Sequence, residues 1–320
     1  MTGSRTIEFG FPIPQVFLDG KPDMALVRRC LALGERLGYA SAWVQDQVAG
    51  DVPLHESLTL MSYAAALTER VRLGVSVLVF PIRHPVHVAK IVSTLDNLSG
   101  GRIDLGIGLG HVMAPGFFAT YSVDNRVAVG RLNEGVAIMK LLWTKTATDF
   151  AGRHYQLKDV HLEPKPLQKP YVPLWFGGQH PDALRRAVRH GDWYACAGPN
   201  STRDFAGFLR QIRRFCDEEG RDPATLPVSK RVYLAIDSDA ARAKRGLDEF
   251  FGARYPWQIQ RSPNFVADIC YWGSPAQVAA GLAEVVKTGA NQIILNPLWD
   301  FEEQIEALAT EVIPAVRALA

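Results

Sequence analysis

The chain has 320 residues, 48% hydrophobic and 21% charged, with a formal net charge of +2. This composition excludes a disordered chain, and the scattered charge gives no case for nucleic acid or an anionic membrane. No apolar run is long enough to span a membrane, Met1 to Glu8 shows no leader pattern, and Cys30, Cys196, Cys216 and Cys270 read as reduced thiols of a cytoplasmic protein.

Ile7 to Phe11 reads as a strand, opened into a loop by Pro12 and Pro14. Asp23 is placed to cap a helix with Leu26, Cys30, Leu33 and Leu37 on one face, ending at Gly38. Ala40 to Val44 is the second strand, followed directly by Gln45-Asp46-Gln47, and Ser57 to Leu67 is the second helix. Val71 to Val79 is valine-rich and almost wholly apolar, while Arg102 to Leu109 is Ile/Leu/Gly and ends in glycines. Between them Val88, Ile91, Leu95 and Leu98 recur at helical spacing, and Gly100-Gly101 stops the helix. Two apolar strands joined by a helix predict a βαβ unit with parallel neighbours and a right-handed crossover.

His111 to Asn125 has no strong period and reads as a loop over the strand ends. Arg126 to Trp143 is helical on Leu132, Val136, Met139 and Leu142. Thr148 to Glu163 breaks the alternation with two short alternating runs, an inserted hairpin, and prolines through Pro173 keep the next stretch extended. Strands follow at Val172–Phe176, Asp192–Cys196, Val228–Ile236 and Gln292–Asn296. Helices follow at Pro181–His190, Thr202–Glu218, Ala240–Phe251, from Ser274 to Lys287, and over Phe301–Leu319. Gly252 to Gly273 reads as a long aromatic loop of the kind that forms lids. Eight strands alternating with helices predict a (β/α)8 barrel, an α/β fold over residues 1–320 as one domain, with insertions near 111–125, 148–172 and 252–273. A doubly wound open sheet is the structural alternative.

A barrel places function at the C-terminal strand ends, which selects Phe11 and Gln15, Asp46 and Gln47, the stretch from Ser76 to Phe80, Gly108 to His111, Gly177 to His180, Tyr194 to Cys196, and Asn296 with Trp299. Gly106-Ile107-Gly108-Leu109-Gly110 is GxGxG with no helix directly behind it, which argues against a dinucleotide fingerprint; Cβ-free positions there let a flat ring approach the backbone, or else serve tight barrel packing. Gly177-Gly178-Gln179-His180 opens a helix whose N-terminus favours a phosphate, and Asp182 is equally an ordinary helix-start residue. His84 and His87 have no third ligand nearby and read as helix-start residues, so no metal site is expected. No GxSxG or hydrolytic triad is visible.

The run HPVHVAKIVSTLDNLSGGRIDLGIGLG resembles the signature of the luciferase-like monooxygenase superfamily. GYASAWVQD, FAGRHYQLKDVHLEPKPLQKPYVPLWFGG and WGSPAQVAAGLAEVVKTGANQIILNP are similar in kind and in order. The resemblance implies a reduced flavin-type cofactor at the mouth, either FMN used with oxygen for monooxygenation or coenzyme F420 used for hydride transfer. It implies a bulge with a non-proline cis peptide at Ser76-Val77 behind the ring; with the glycine and helix-start readings above, the expected cofactor contacts are Gly108, Gly110, Gly177, Gly178, Gln179 and His180. Ser76-Val77 and the GxGxG look more like the F420 branch. Relatives often carry an acid-His pair after strand two; Asp46-Gln47 departs from it, because glutamine cannot shuttle protons. Asp46 is then left to contact the ring edge, and His111 becomes the candidate for proton transfer.

A substrate pocket is expected above the ring, walled by Phe11, Phe80, Phe117, Trp257 and Trp299, with core packing as the competing explanation for each. Expected partners are a small-molecule substrate, a separate flavin reductase or F420-reducing enzyme, and a second copy of the chain. Two other readings stand beside this oxidoreductase: a flavin-binding barrel without catalysis, favoured by Gln47, and a barrel hydrolase or lyase, for which Asp46 alone is too little.

Overall fold

The computed structural model describes residues 7–17, 20–49, 53–110 and 116–320. Eight parallel strands close a barrel: β1 (Glu8–Pro12), β2 (Ser41–Val44), β3 (Arg72–Val79), β4 (Ile103–Gly108), β7 (Leu174–Gly177), β8 (Trp193–Cys196), β9 (Val228–Ile236) and β11 (Gln292–Pro297), which pairs back onto β1. Helices α1 (Met24–Arg36), α2 (Ser57–Leu67), α3 (Pro85–Leu98) and α4 (Ala128–Thr144) follow the first four strands. The antiparallel ribbon β5 (Thr148–Ala151) and β6 (Gln156–Val160) is inserted next. Helices α5 (Pro181–His190), α6 (Thr202–Glu219) and α7 (Ala240–Arg254) follow β7, β8 and β9. The (β/α)8 barrel replaces the open-sheet alternative.

Burial follows the two periods. Apolar residues on the outer strand faces and at the strand ends meet the helices: Phe11 of β1 lies over Gly34 of α1 and against Tyr39, and Phe80, just past β3, lies over Gly135 of α4. Inward residues form a separate cluster around Trp43, Trp175 and Ile294, joined by Val77 and Trp193. Within it Trp43 and Trp175 meet edge to face at 4.9 Å, and Trp175 stacks on Trp193 at 4.1 Å. Asp104 is sealed there and bound by Arg72 at 2.6 Å and by the Trp175 indole N–H at 3.2 Å. Burial pushes the Asp104 carboxyl up despite Arg72.

Two expectations are corrected. On α3 the buried stripe is Val88, Val92 and Leu95, while Ile91 and Leu98 are 43% and 64% exposed. Residues 91 and 98 share the i/i+7 spacing, but lie off the face that the i/i+4/i+7 stripe of 88, 92 and 95 turns to the barrel. The stretch 252–273 is not a loop. The helix α7 runs on to Arg254, and α8 (Pro256–Arg261), α9 (Phe265–Ile269) and β10 (Cys270–Gly273) follow. Gly252 lies inside α7, at a propensity cost near 1 kcal/mol, next to Phe251, which buries with Phe265, Val266 and Ile269. The strand β10 pairs with the upper half of β9, Cys270 with Tyr233 through Gly273 with Ile236, whereas β8 pairs with its lower half. The chain then descends through α10 (Pro275–Lys287) and ends in α11 (Phe301–Ala307) and α12 (Ile313–Leu319). Among the described residues, no helix is long and apolar enough to cross a membrane.

Candidate functional site at the barrel mouth

Asp46 leaves the end of β2 and turns its carboxylate toward β3. It accepts the Val79 backbone N–H at 2.7 Å and the Ser57 hydroxyl at 2.9 Å. Arg83 binds it at 2.8 and 3.1 Å and also donates to the Val79 carbonyl at 2.8 Å. The carboxylate has no exposed surface. The expectation that Asp46 contacts a ring edge is therefore corrected: all its lone pairs serve the join between β2, α2 and β3. Gln47 is half-buried beside it, and His111 lies outside the described residues.

The Ser76-Val77 peptide is cis, and the β3–β4 register shifts between Val75 and Leu78. The bulge turns Val77 toward the neighbouring strands. A Cβ on Gly108 would come 2.7 Å from a Val77 methyl, and one on Gly177 would come 3.0 Å from the other. A Cβ on Gly106 would strike the Val75 carbonyl oxygen. The GxGxG run thus makes room for the bulge itself. Val77 keeps partial exposure while Val75, Ser76 and Leu78 are buried. From the opposite wall Arg231, buried inside the barrel, donates to the Ser76 carbonyl oxygen. Gly110 is exposed, at φ 77°.

After β7, Gly177 is half-buried, and Gly178, Gln179 and His180 are exposed at the mouth. Gly178 has φ 138°, and its carbonyl accepts the Tyr194 hydroxyl at 3.0 Å. His180 is the N-cap of α5: its Nδ1 accepts the Asp182 N–H at 3.3 Å, so that ring nitrogen serves the helix.

A pocket opens on the other side of the mouth, beneath α7 and α8. Trp43, Tyr233, Phe250 and Tyr255 form its aromatic wall, and Asn296 and Arg254 are among its polar members. The predicted aromatic wall is corrected on each count that geometry decides. Phe11 and Phe80 are fully buried against helices, Phe11 because its strand position points outward and Phe80, just past the end of β3, because it turns onto Gly135 of α4. Trp257 is 55% exposed on α8. Trp299 packs over Gly246 of α7 and joins the cluster that seats the roof. Phe117 is half-buried against Phe118 and Tyr121 in a small cluster beyond β4. Arg83, Arg231, Tyr233 and Arg254 were not foreseen. Period-two phasing marks Trp43 and Tyr233 as inward residues, whereas nothing local marks the arginines. Among the described residues, no three His, Cys, Asp or Glu side chains converge as a metal site.

Comparison with known proteins gives the same architecture. The chain is 30% identical to an F420-dependent glucose-6-phosphate dehydrogenase of Kineococcus radiotolerans, over 65% of this chain and 63% of that enzyme. It is 25% identical to an FMNH2-dependent dimethylsulfone monooxygenase of Pseudomonas putida, over 93% of this chain and 89% of that one. The solved structure of an F420-dependent secondary alcohol dehydrogenase with an F420-acetone adduct superposes with a TM-score of 0.82, covering 97% of this chain and 99% of that one at 20% identity. The family profile described as luciferase-like monooxygenase matches residues 8–292, so the chain belongs to the luciferase-like monooxygenase family.

Proposed function

We propose that this protein is an oxidoreductase that uses a reduced flavin-type cofactor, F420, for hydride transfer with a small organic substrate. The observation that carries the reading is the Val77 seat: a half-exposed apolar side chain at a strand bulge, flanked by Cβ-free Gly108 and Gly177, beside the exposed turn that starts α5. Such a surface fits a flat tricyclic ring with a phosphate-bearing tail. Val77 and the backbone of Gly108 and Gly177 would back the ring, and the Gly178–Gln179 backbone would face the phosphate with the dipole of the ten-residue helix α5 behind it. When bound, the cofactor supplies the hydride, and the protein supplies position and a proton route. Asp46 and Arg83 fix the end of β3 that carries the seat. Gln47 can orient a neighbour through its amide without moving a proton, and His111, directly after Gly110, is assigned the proton.

The likeness to the FMNH2-dependent relative supports a second version, monooxygenation with oxygen. Anaerobic titration with F420 and with FMN, each oxidised and reduced, separates the two. F420 is expected to bind at least roughly tenfold tighter than FMN, about 1.4 kcal/mol. The reverse order moves the assignment to the monooxygenase, and failure of both to bind sinks each version. His111→Ala should keep cofactor affinity and lose turnover; unchanged turnover removes the proton role.

A cofactor used reduced needs a separate flavin reductase or F420-reducing enzyme as partner. Exposed Ile91, Leu98 and Leu67 (43%, 64% and 39%) on α2 and α3 support a homodimer through this face. Light scattering on wild type and on Leu98→Asp checks it, and a monomeric wild type refutes it.

A further inference from the structure

We propose that the pocket beneath α7 and α8 binds a substrate with an apolar body and an anionic group, and that Arg254 holds the anion. The proposal deepens the oxidoreductase reading and rests on it for the substrate's role. Three observations carry it.

Among the described residues that line the pocket, Arg254 is the only one with a formal charge. It is half-buried, yet among the described residues no carboxylate lies within ion-pair distance of it. Two other half-buried arginines of the barrel are paired, Arg72 with Asp104 and Arg83 with Asp46. The Arg254 Nε donates to the Tyr255 hydroxyl at 3.2 Å, and its guanidinium lies 5.7 Å from the Tyr255 ring centroid and 6.0 Å from that of Phe250. Both terminal nitrogens are left without an acceptor among the described residues. A place in the last turn of α7 explains a positive charge there. It does not explain a guanidinium fork in a walled pocket with no counter-ion.

The second observation is a further guanidinium below the first. Arg231 is buried on β9, two residues before Tyr233 and so on the same strand face, and the Tyr233 phenol lines the same pocket. Burial raises the Tyr233 pKa, and Arg231 and Arg254 both pull the other way, so the phenol lies in the field of two cations. The third is Asn296, at 5% exposure on the pocket wall, whose side-chain amide has no hydrogen-bond partner among the described residues.

A planar fork with two free donors suits a carboxylate or phosphate bidentately, and the amide and phenol can complete its shell. Trp43, Phe250 and Tyr255 offer the hydrocarbon body apolar surface. The shared chemistry is that of an organic acid.

The test is isothermal calorimetry on the full chain with hexanoate, hexyl phosphate and hexanamide, on wild type, Arg254→Met and Arg254→Lys. At least one anion should bind roughly tenfold or more tighter than the amide, and the stronger one names the carboxylate or phosphate class. Arg254→Met should level the three probes, with its melting temperature and cofactor titration unchanged; Arg254→Lys should keep part of the preference. Equal binding of the three to wild type, no binding of any, or a preference that survives in Arg254→Met overturns the proposal. Cofactor binding without anion preference defeats this inference alone, whereas anion preference without cofactor binding defeats the oxidoreductase reading alone.

Discussion

Arg83 grips both carboxylate oxygens of Asp46, at 2.8 and 3.1 Å, from the turn that follows β3. With the Val79 N–H on the same carboxylate, this pair ties the ends of β2 and β3 together at the seat. Asp46 is sealed and Arg83 is 16% exposed, so loss of Arg83 strands the Asp46 charge away from water, while loss of Asp46 leaves Arg83 only the longer pairing with Glu56 at 3.5 Å. Asp46→Asn should cost about 3 kcal/mol of unfolding free energy. Arg83→Met should cost a similar amount, and the double variant clearly less than the sum. Urea denaturation of the four proteins measures this. Additive costs would show that the two groups act separately.

Gly108 and Val77 form a size-matched pair. Gly108→Ala puts a Cβ within 2.7 Å of a Val77 methyl and should cost about 2 kcal/mol. Val77→Ala in the same chain frees that space and should recover part of the loss. Gly106→Ala meets the Val75 carbonyl, which cannot rotate away, and should have no such rescue. Equal responses of the two glycines to Val77→Ala would refute this account of the GxGxG run.

The barrel was legible because its strands and helices announce themselves through two periods and glycine stops, and β3–α3–β4 carried both in one stretch. The site was legible only where backbone carries it, at the bulge and at the turn before α5. Side-chain sites depend on strand phase: Phe11 and Trp43 both lie in strands, but Phe11 faces α1 and Trp43 faces inward. Partners distant in sequence were hidden altogether. Asp46 looked free to contact a ring edge because Arg83, 37 residues on, is invisible at strand level. Gly252 looked like the start of a loop because the packing of Phe251 against Phe265, across the end of α7, is invisible in the local sequence.

Glu35 gives a pH prediction. Its Oε1 accepts the backbone N–H groups of Glu69, Arg70 and Val71 at 2.9, 2.6 and 2.9 Å, anchoring the start of β3. Burial alone would raise its pKa, but the three N–H donors outweigh it and the carboxyl sits below its usual range. A folded pKa below the unfolded one means stability fully present above the unfolded value, near 4.3, and lost as pH falls through the folded value. Glu35→Gln should therefore cost about 1–2 kcal/mol at neutral pH, and the gap to wild type should close below about pH 4. A gap that persists at pH 3 would mean that charge is not what the three donors recognise.

Trp299 sits on Gly246, where a Cβ would come within 2.8 Å of the indole, and this contact seats the roof of the pocket on the end of β11. The roof shares its cluster with Leu247, Phe251 and Phe265 rather than with the main barrel core. Trp299→Ala should therefore loosen the roof before it loosens the barrel, because a unit with its own small core opens locally at less than the global free energy. Amide exchange over residues 240–261 should accelerate about tenfold for each 1.4 kcal/mol of local stability lost, while amides of β1 to β4 keep their protection. Acceleration spread evenly over both regions would instead make roof and barrel one cooperative unit.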